Sequence, residues 1–247
     1  MTRLLRGALV PALLLGSWET ASRAGLVIDT LSLPSDIVAA LWSGLRDGSI
    51  LIATVQTFDA ALLGLAIAAV IGILLGAVLG VSPMLEGVTG PTIEALRPIP
   101  AVAFMPLALM MFGFGIALEA SIVSYACVWP ILIVTTAAVR EIEPRLLDVA
   151  DVLEMTFAEK LRKIILPAAL ARINVGLRVA AGIAVVVAVT TEVVLNPRGL
   201  GYSLILAQQS LDVALMYGQL LWLCAVGYLL NAALRTLSGA PPEWKAA

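Results

Sequence analysis

The sequence predicts an all-α fold: a polytopic bundle of about six membrane-spanning helices. Three observations predict it. Hydrophobic residues make up 61% of the 247 residues and charged residues only 13%, whereas a soluble domain runs about 45–50% apolar and about 25% charged. The mean hydropathy is +1.03. The few charges also leave four long intervals untouched, residues 60–85, 98–118, 120–139 and 213–234. A helix rising about 1.5 Å per residue needs about 20 mostly apolar residues to cross a hydrocarbon core of about 30 Å.

The same counts exclude several functions. A net charge of −2 provides no basic field for nucleic acid. Two cysteines cannot build a secreted disulfide scaffold. The absence of histidine removes His-dependent triads, His-ligated zinc and imidazole proton relays. No catalytic residue and no metal ligand is expected.

Taken in order, the first segment covers residues 7–18, extendable to about 28 if Glu19 and Arg23 sit at an interface. Arg3 and Arg6 before an apolar run also fit the charged and apolar regions of a signal peptide. No small-residue cleavage site is clear between Trp18 and Ala24, which favours a retained first span. Span two, 60–85, places Gly64, Ala68, Gly72, Gly76 and Gly80 at steps of four, on one helix face where backbones can approach closely. Either plain close packing or an interface that slides during transport fits that stripe. Span three, 98–118, holds Pro106 and Met105, Met110 and Met111; span four, 120–139, holds Pro130. The prolines remove backbone donors and mark candidate hinges. The methionines fit bland packing or an adaptable pathway lining. Cys127 and Cys224 read as small buried hydrophobes with no disulfide. Span five runs from about 168 to 195 with Arg178 and Glu192 inside it, and span six is 213–234. Asp59 and Glu119 are expected at outer interfaces.

Lys and Arg near span ends set orientation. Arg3, Arg6, Arg235, Lys245 and six basic residues in 140–172 fall on one side; Arg46 and Arg198, with Arg23 near the first span's end, fall on the other. Both termini and residues 140–172 are therefore expected in the cytoplasm.

That stretch carries 12 of the chain's 32 Lys, Arg, Asp and Glu residues. Leu146, Leu147, Ala150, Leu153 and Phe157 recur at helical spacing, and a second short helix fits 157–166, with Pro167 ending it or opening the next span. An amphipathic helix pair between two spans can lie on a lipid surface or be presented to a soluble partner.

Here the sequence resembles the permeases of binding-protein-dependent ATP-binding-cassette (ABC) importers, in their nitrate/sulfonate/taurine branch. Asp148-Val149-Ala150, then Phe157 and Ile165-Leu166-Pro167, are similar to that family's "EAA" loop. The family's glycine position is Glu154, a departure that puts the loop's shape in question. The resemblance extends through Leu33-Pro34-Ser35, Leu96-Arg97-Pro98-Ile99-Pro100, Pro106-Leu107, Phe112-Gly113, Val175-Gly176-Leu177-Arg178, Thr191-Glu192 and Gly199-Leu200-Gly201-Tyr202.

The resemblance implies a single transmembrane permease domain over 1–247, with a cytoplasmic coupling segment at 140–167. It implies a bacterial inner-membrane location, a pathway formed by two such chains as a homodimer in the lipid bilayer, two cytoplasmic ATPase subunits and an external solute-binding protein. Asp148, Ala150, Leu153, Glu154, Phe157, Leu166 and Pro167 are the implied ATPase-coupling residues. The chain would hydrolyse nothing: it carries no phosphate-cradling G-x-x-x-x-G-K-[ST], so ATP-Mg belongs to the partners and no cofactor to this chain. The solute would be small and anionic, like a sulfonate, taurine or nitrate. Intramembrane charges are functional candidates. Arg97 and Arg178 can attract such an anion, or pair with Glu94, helix carbonyls or lipid phosphate. Glu192 can gate the outer mouth or pair with Arg198. The alternative is a stand-alone channel or secondary carrier, which does not need the amphipathic insertion at 140–172.

Overall fold

The structure, a computed structural model, describes residues 2–24 and 31–237. No strand occurs among them. The helices are α1 (Thr2–Arg23), α2 (Pro34–Arg46), α3 (Ser49–Val81), α4 (Pro83–Leu96), α5 (Met105–Phe112), α6 (Ile116–Arg140), α7 (Pro144–Val152), α8 (Phe157–Lys160), α9 (Leu166–Val194), α10 (Gly199–Gln209) and α11 (Val213–Leu237).

Among the described residues, four helices are long and apolar enough to cross a membrane: Ser49–Val81, Ile116–Arg140, Leu161–Val194 and Val213–Leu234. Pro83–Leu96 and Ala101–Phe112 together make a fifth, bent by 84°. Six spans are therefore one more than these helices supply. The missing one is α1, which forms in the expected place and is 22 residues long, but its charges keep it below the apolarity of the others. Glu19 fastens it to α2, accepting from Ser35 N at 3.1 Å and Ser35 Oγ at 3.0 Å.

The third span departs most from expectation. It begins at Pro83 rather than residue 98, because Ser82 caps α4, its Oγ accepting from Leu85 N at 3.4 Å. Glu86, Glu94 and Arg97 gather with Arg140 and Glu141 around one cavity between α4 and α6, and Glu86 pairs with Arg140. The break comes at Pro98-Ile99-Pro100, where prolines lack the donors a continuous helix needs. Pro106 only opens α5, and Pro130 lies inside an unbroken α6. The hinge is therefore at neither expected proline. Met105 is buried, while Met110 and Met111 face outward. Cys127 is buried, its Sγ donating to Ala180 O at 3.3 Å, but Cys224 is exposed, contrary to expectation. Both thiols are free.

The core is the contact of α3 with α6. An added Cβ would fall 2.6 Å from Val123 Cβ at Gly64, 3.0 Å from Ile131 Cβ at Gly72, 2.7 Å from Thr135 Cβ at Gly76 and 2.6 Å from Val139 Cβ at Gly80. Partner numbers rise together, so the two helices run parallel, each glycine receiving a β-branched side chain. The stripe achieves close packing. Helix α9 returns antiparallel and completes the centre with Ala180, Ala184 and Ala188 against Ala61, Ala68, Cys127 and Ile131.

Gly76→Leu is expected to lower the thermal midpoint of the detergent-solubilised protein, with a loss of about 1–3 kcal/mol or more from overpacking, since backbone Leu132 O also lies 2.8 Å from the new Cβ. Gly87→Ala, which meets nothing within 4 Å, is expected to hold or raise that midpoint.

Candidate functional site

Helix α7 and the turn after it form the first functional region. Helix α7 ends as a left-handed cap: Met155 N donates to Ala150 O at 3.0 Å and Leu153 N to Val149 O at 3.0 Å. Glu154 occupies the turn with φ of +53°, a conformation that disfavours any side chain with a Cβ. The position where the resembled pattern has glycine therefore holds a backbone conformation that glycine enters without strain.

Thr156 then caps α8 reciprocally. Thr156 N donates to Glu159 Oε2 at 3.1 Å, and Glu159 N to Thr156 Oγ1 at 3.4 Å, a capping box. Lys163 Nζ adds an ion pair to Glu159 Oε1 at 3.0 Å. The Thr156 N–H, the Lys163 ammonium and the Thr156 hydroxyl together hold the Glu159 carboxyl down to about 2.

No break separates α8 from α9. Leu166 N bonds Leu161 O, five residues back, so 161–165 form a wide turn. Pro167 has no N–H and its ring crowds the carbonyl four residues earlier; the wide turn lets the helix pass it. Pro167 neither ends the coupling helix nor starts a separate span. Ile165, Leu161 and Leu166 pack with Ala77, Ala138, Val139, Ile142 and Ile173, tying this helix to the adjacent ends of α3 and α6. Arg172 pairs with Glu141, and Arg140 with Glu86.

Of the coupling candidates, Ala150 is fully buried beneath α7 and Leu166 is half-buried. Asp148, Glu154 and Pro167 are exposed. Leu153 is 65% exposed and Val152 83%, with Leu146 and Val149 exposed beside them. The side chains of Leu147 and Phe157 lie outside the described residues.

The pathway candidates do not come together. Arg97 lines a cavity of about 520 Å³ with Glu86, Glu94, Arg140 and Glu141, between α4 and α6. Arg178 lines another, of about 460 Å³, between α3, α9 and α11. Glu192 lies at the opposite end of the bundle from α7. There its Oε2 accepts from Gly201 N at 2.8 Å. Arg198 instead approaches Glu119, Nε to Oε1 at 3.9 Å.

Glu119 is fully buried rather than at an interface, whereas Asp59 is exposed. Asn196 donates to Glu119 and brackets Gly115, Oδ1 accepting from its N at 2.9 Å and Nδ2 donating to its O at 3.2 Å. Gln56 Oε1 and Thr57 Oγ1 on α3 accept from Gly199 N and Leu200 N at 3.0 and 2.9 Å. Gly199 has φ of +83°, and a Cβ there would lie 1.9 Å from Glu192 Oε1. Sequence reasoning missed Gln56, Thr57, Glu119 and Asn196 as members of this network. The signal available was Asn196-Pro197-Arg198-Gly199, a polar turn between two apolar helices.

A helical membrane core carrying an amphipathic element between two spans defines the class: a transport subunit built to dock on something at one end. Residues 68–239 match the family described as "Binding-protein-dependent transport system inner membrane component". The chain belongs to that family, and it is a multi-pass inner-membrane transport subunit rather than an enzyme. It is 28% identical over 242 residues to a putative aliphatic sulfonates transport permease protein of Bacillus subtilis (strain 168), covering 98% of this chain and 88% of that one. It is 27% identical over 239 residues to the taurine transport system permease protein of Escherichia coli (strain K12), covering 94% and 87%. Its fold matches a solved chain of an amino acid ABC transporter with histidines at a TM-score of 0.61 and 18% identity, covering 81% and 95%.

Glu154→Gly is expected to stabilise the loop by about 1 kcal/mol by removing a left-handed non-glycine residue, read as slower amide exchange over 149–156. The Glu159 carboxyl sits below its unfolded value of about 4.5. Its contribution is therefore present above about pH 4.5 and lost as pH falls toward 2. The protection factor of the Thr156 amide in the intact protein, which corrects for the slower intrinsic exchange in acid, is expected to hold at pH 5 and to fall only as pH approaches 2.

Proposed function

We propose that two copies of this chain form the pathway of an ATP-driven importer for small sulfonate-type anions. The end bearing α7 and α8 faces the cytoplasm, where two ATPase subunits dock on it. The end bearing Glu119 and Glu192 faces outward, toward a solute-binding protein, and both termini are cytoplasmic. Basic residues concentrated in 140–172 support this orientation. The sulfonate and taurine permeases among the relatives support the substrate class.

One observation carries the docking reading. Leu146, Val149, Val152 and Leu153 are exposed together on a charged element, and the helix that follows runs without a break into the span Leu161–Val194. An apolar helix face set in a soluble partner's groove is a standard recognition mode. A displacement imposed on that element moves α9 directly, which is what rigid-body alternation of a pathway requires.

Co-expression with a candidate partner ATPase is expected to yield a stable complex. Leu153→Asp or Val152→Asp should reduce recovery of the ATPase at least about tenfold, as loss of a buried apolar anchor does, without lowering the thermal midpoint of the permease. These exposed positions are cleaner probes than Ala150→Glu, because Ala150 is fully buried. Solute flux through liposomes holding this chain alone would support the stand-alone carrier instead.

A further inference from the structure

The buried network at the end of the bundle away from α7 leaves two carboxylate oxygens over. Glu119 and Glu192 are both fully buried. Glu119 Oε1 accepts from the Asn196 amide, and Glu192 Oε2 from Gly201 N at 2.8 Å. Glu119 Oε2 and Glu192 Oε1 are buried with no donor. The neighbouring donors point elsewhere: Gly199 N to Gln56 Oε1, Leu200 N to Thr57 Oγ1 and Gly115 N to Asn196 Oδ1. The Thr57 hydroxyl lies beside Glu192, but it donates to Ala53 O at 3.1 Å. Only glycine at 199 leaves Glu192 Oε1 its room, since an added Cβ would lie 1.9 Å away.

Charge does not balance either. Among the described residues Arg198 is the one base that acts on these carboxyls. Its Nε stops 3.9 Å from Glu119 Oε1, on a side chain 26% exposed. Two carboxylates against one guanidinium leave one negative charge over. A buried charge persists when it is paired or when a cation neutralises it, and oxygens without donors are the ligands a hard cation takes. The ligand set limits which cation. No group of three or more His, Cys, Asp or Glu able to hold a metal occurs among the described residues, and Ca²⁺ or Mg²⁺ takes about six oxygens or more. A surplus of one charge matches a monovalent ion.

We propose that Glu119 Oε2 and Glu192 Oε1, with the remaining lone pair of Thr57 Oγ1, bind one sodium ion at this end of the bundle. The ion enters past Arg198 and Gln56, the partly exposed members of the network. Once bound it ties α3, α6 and α9 to the turn that opens α10, so sodium stiffens the end where these helices converge. The site is built within one chain and does not rest on the importer reading.

The test uses the intact chain in lipid nanodiscs, with sodium chloride exchanged for choline chloride at constant ionic strength. Sodium is expected to raise the thermal midpoint saturably, and radiolabelled sodium to bind in equilibrium dialysis with the same half-saturation. Glu119→Gln and Glu192→Gln are each expected to raise the half-saturating sodium concentration at least about tenfold, the loss that follows from removing a charged partner. Arg198→Gln is expected to lower it, because removing the one base enlarges the surplus negative charge. A role confined to packing would not produce that opposite sign. Glu94→Gln, at an exposed acid on α4, should respond as the unaltered chain does. If either glutamine variant fails to fold, dialysis on the unaltered chain and on Arg198→Gln decides the matter. Equal midpoints in sodium and choline overturn the proposal, as does a sodium response that survives both glutamine variants or weakens in Arg198→Gln. So does a sodium-indifferent midpoint that Glu119→Gln raises, since the two carboxyls would then share a proton rather than hold an ion. ATPase co-purification bears on the importer reading alone: its failure leaves this site standing, and a missing sodium response leaves that reading standing.

Discussion

The rest of the molecule is arranged around the contact between α3 and α6. Apolar surfaces in a bilayer gain nothing by leaving lipid for each other, so helix association depends on how closely backbones approach. The step of four from Gly64 to Gly80 provides that approach, and α6 answers it with Val123, Ile131, Thr135 and Val139. In all four pairs the partner lies 59 residues further along the chain. A constant offset over this length requires two parallel helices in fixed register. Parallel neighbours in turn require the chain to recross the membrane between them. The bent pair α4–α5 is that return, lying outside the packed pair, which explains why α4 buries nothing. Helix α9 fits the remaining face with alanines and with Gly176 against Val134.

What was legible in the sequence followed from local rules, and what was not depended on distant partners. Charge-free intervals located the spans because charge in lipid is costly anywhere. The stripe of small residues located the packing face because helical periodicity is local. The Pro98-Pro100 break was invisible to interval counting: a charge-free run says nothing about whether its helix is straight. Glu119 looked like an interface residue because Asn196, 77 positions away, supplies the donor that lets it be buried. The thiols show the same limit. Cys127 and Cys224 lie in similar apolar runs, and only packing decides that one is sealed against Ala180 while the other faces out.

The coupling segment shows where local chemistry and the resemblance agree by different means. A turn between two short helices needs one residue in the left-handed region, and glycine is the residue that enters it without strain. Glu154 enters it nonetheless. The turn is over-determined on both sides, by the cap returning from Met155 to Ala150 and by the Thr156–Glu159 box. Such strain persists only where neighbours fix the geometry. The Glu154 side chain is exposed at the end that the proposed ATPase covers.

The two ends of the bundle hold their polar groups in opposite ways, and the contrast bears on how motion divides between them. Around α7 and α8 the charges are exposed pairs, Lys163–Glu159 and Arg145–Glu143, which are weak in water and re-form at little cost. At the far end Gln56, Thr57, Glu119, Glu192 and Asn196 are joined across α3, α6, α9 and α10, with all but Gln56 buried. Breaking that network strands buried polar groups. The chain is therefore soft where it meets a partner and stiff where it closes the bundle. Between them runs an unbroken helix from Phe157 to Val194. A push at the soft end is carried along this helix and, through Ile165, Leu161 and Leu166, into the adjoining ends of α3 and α6.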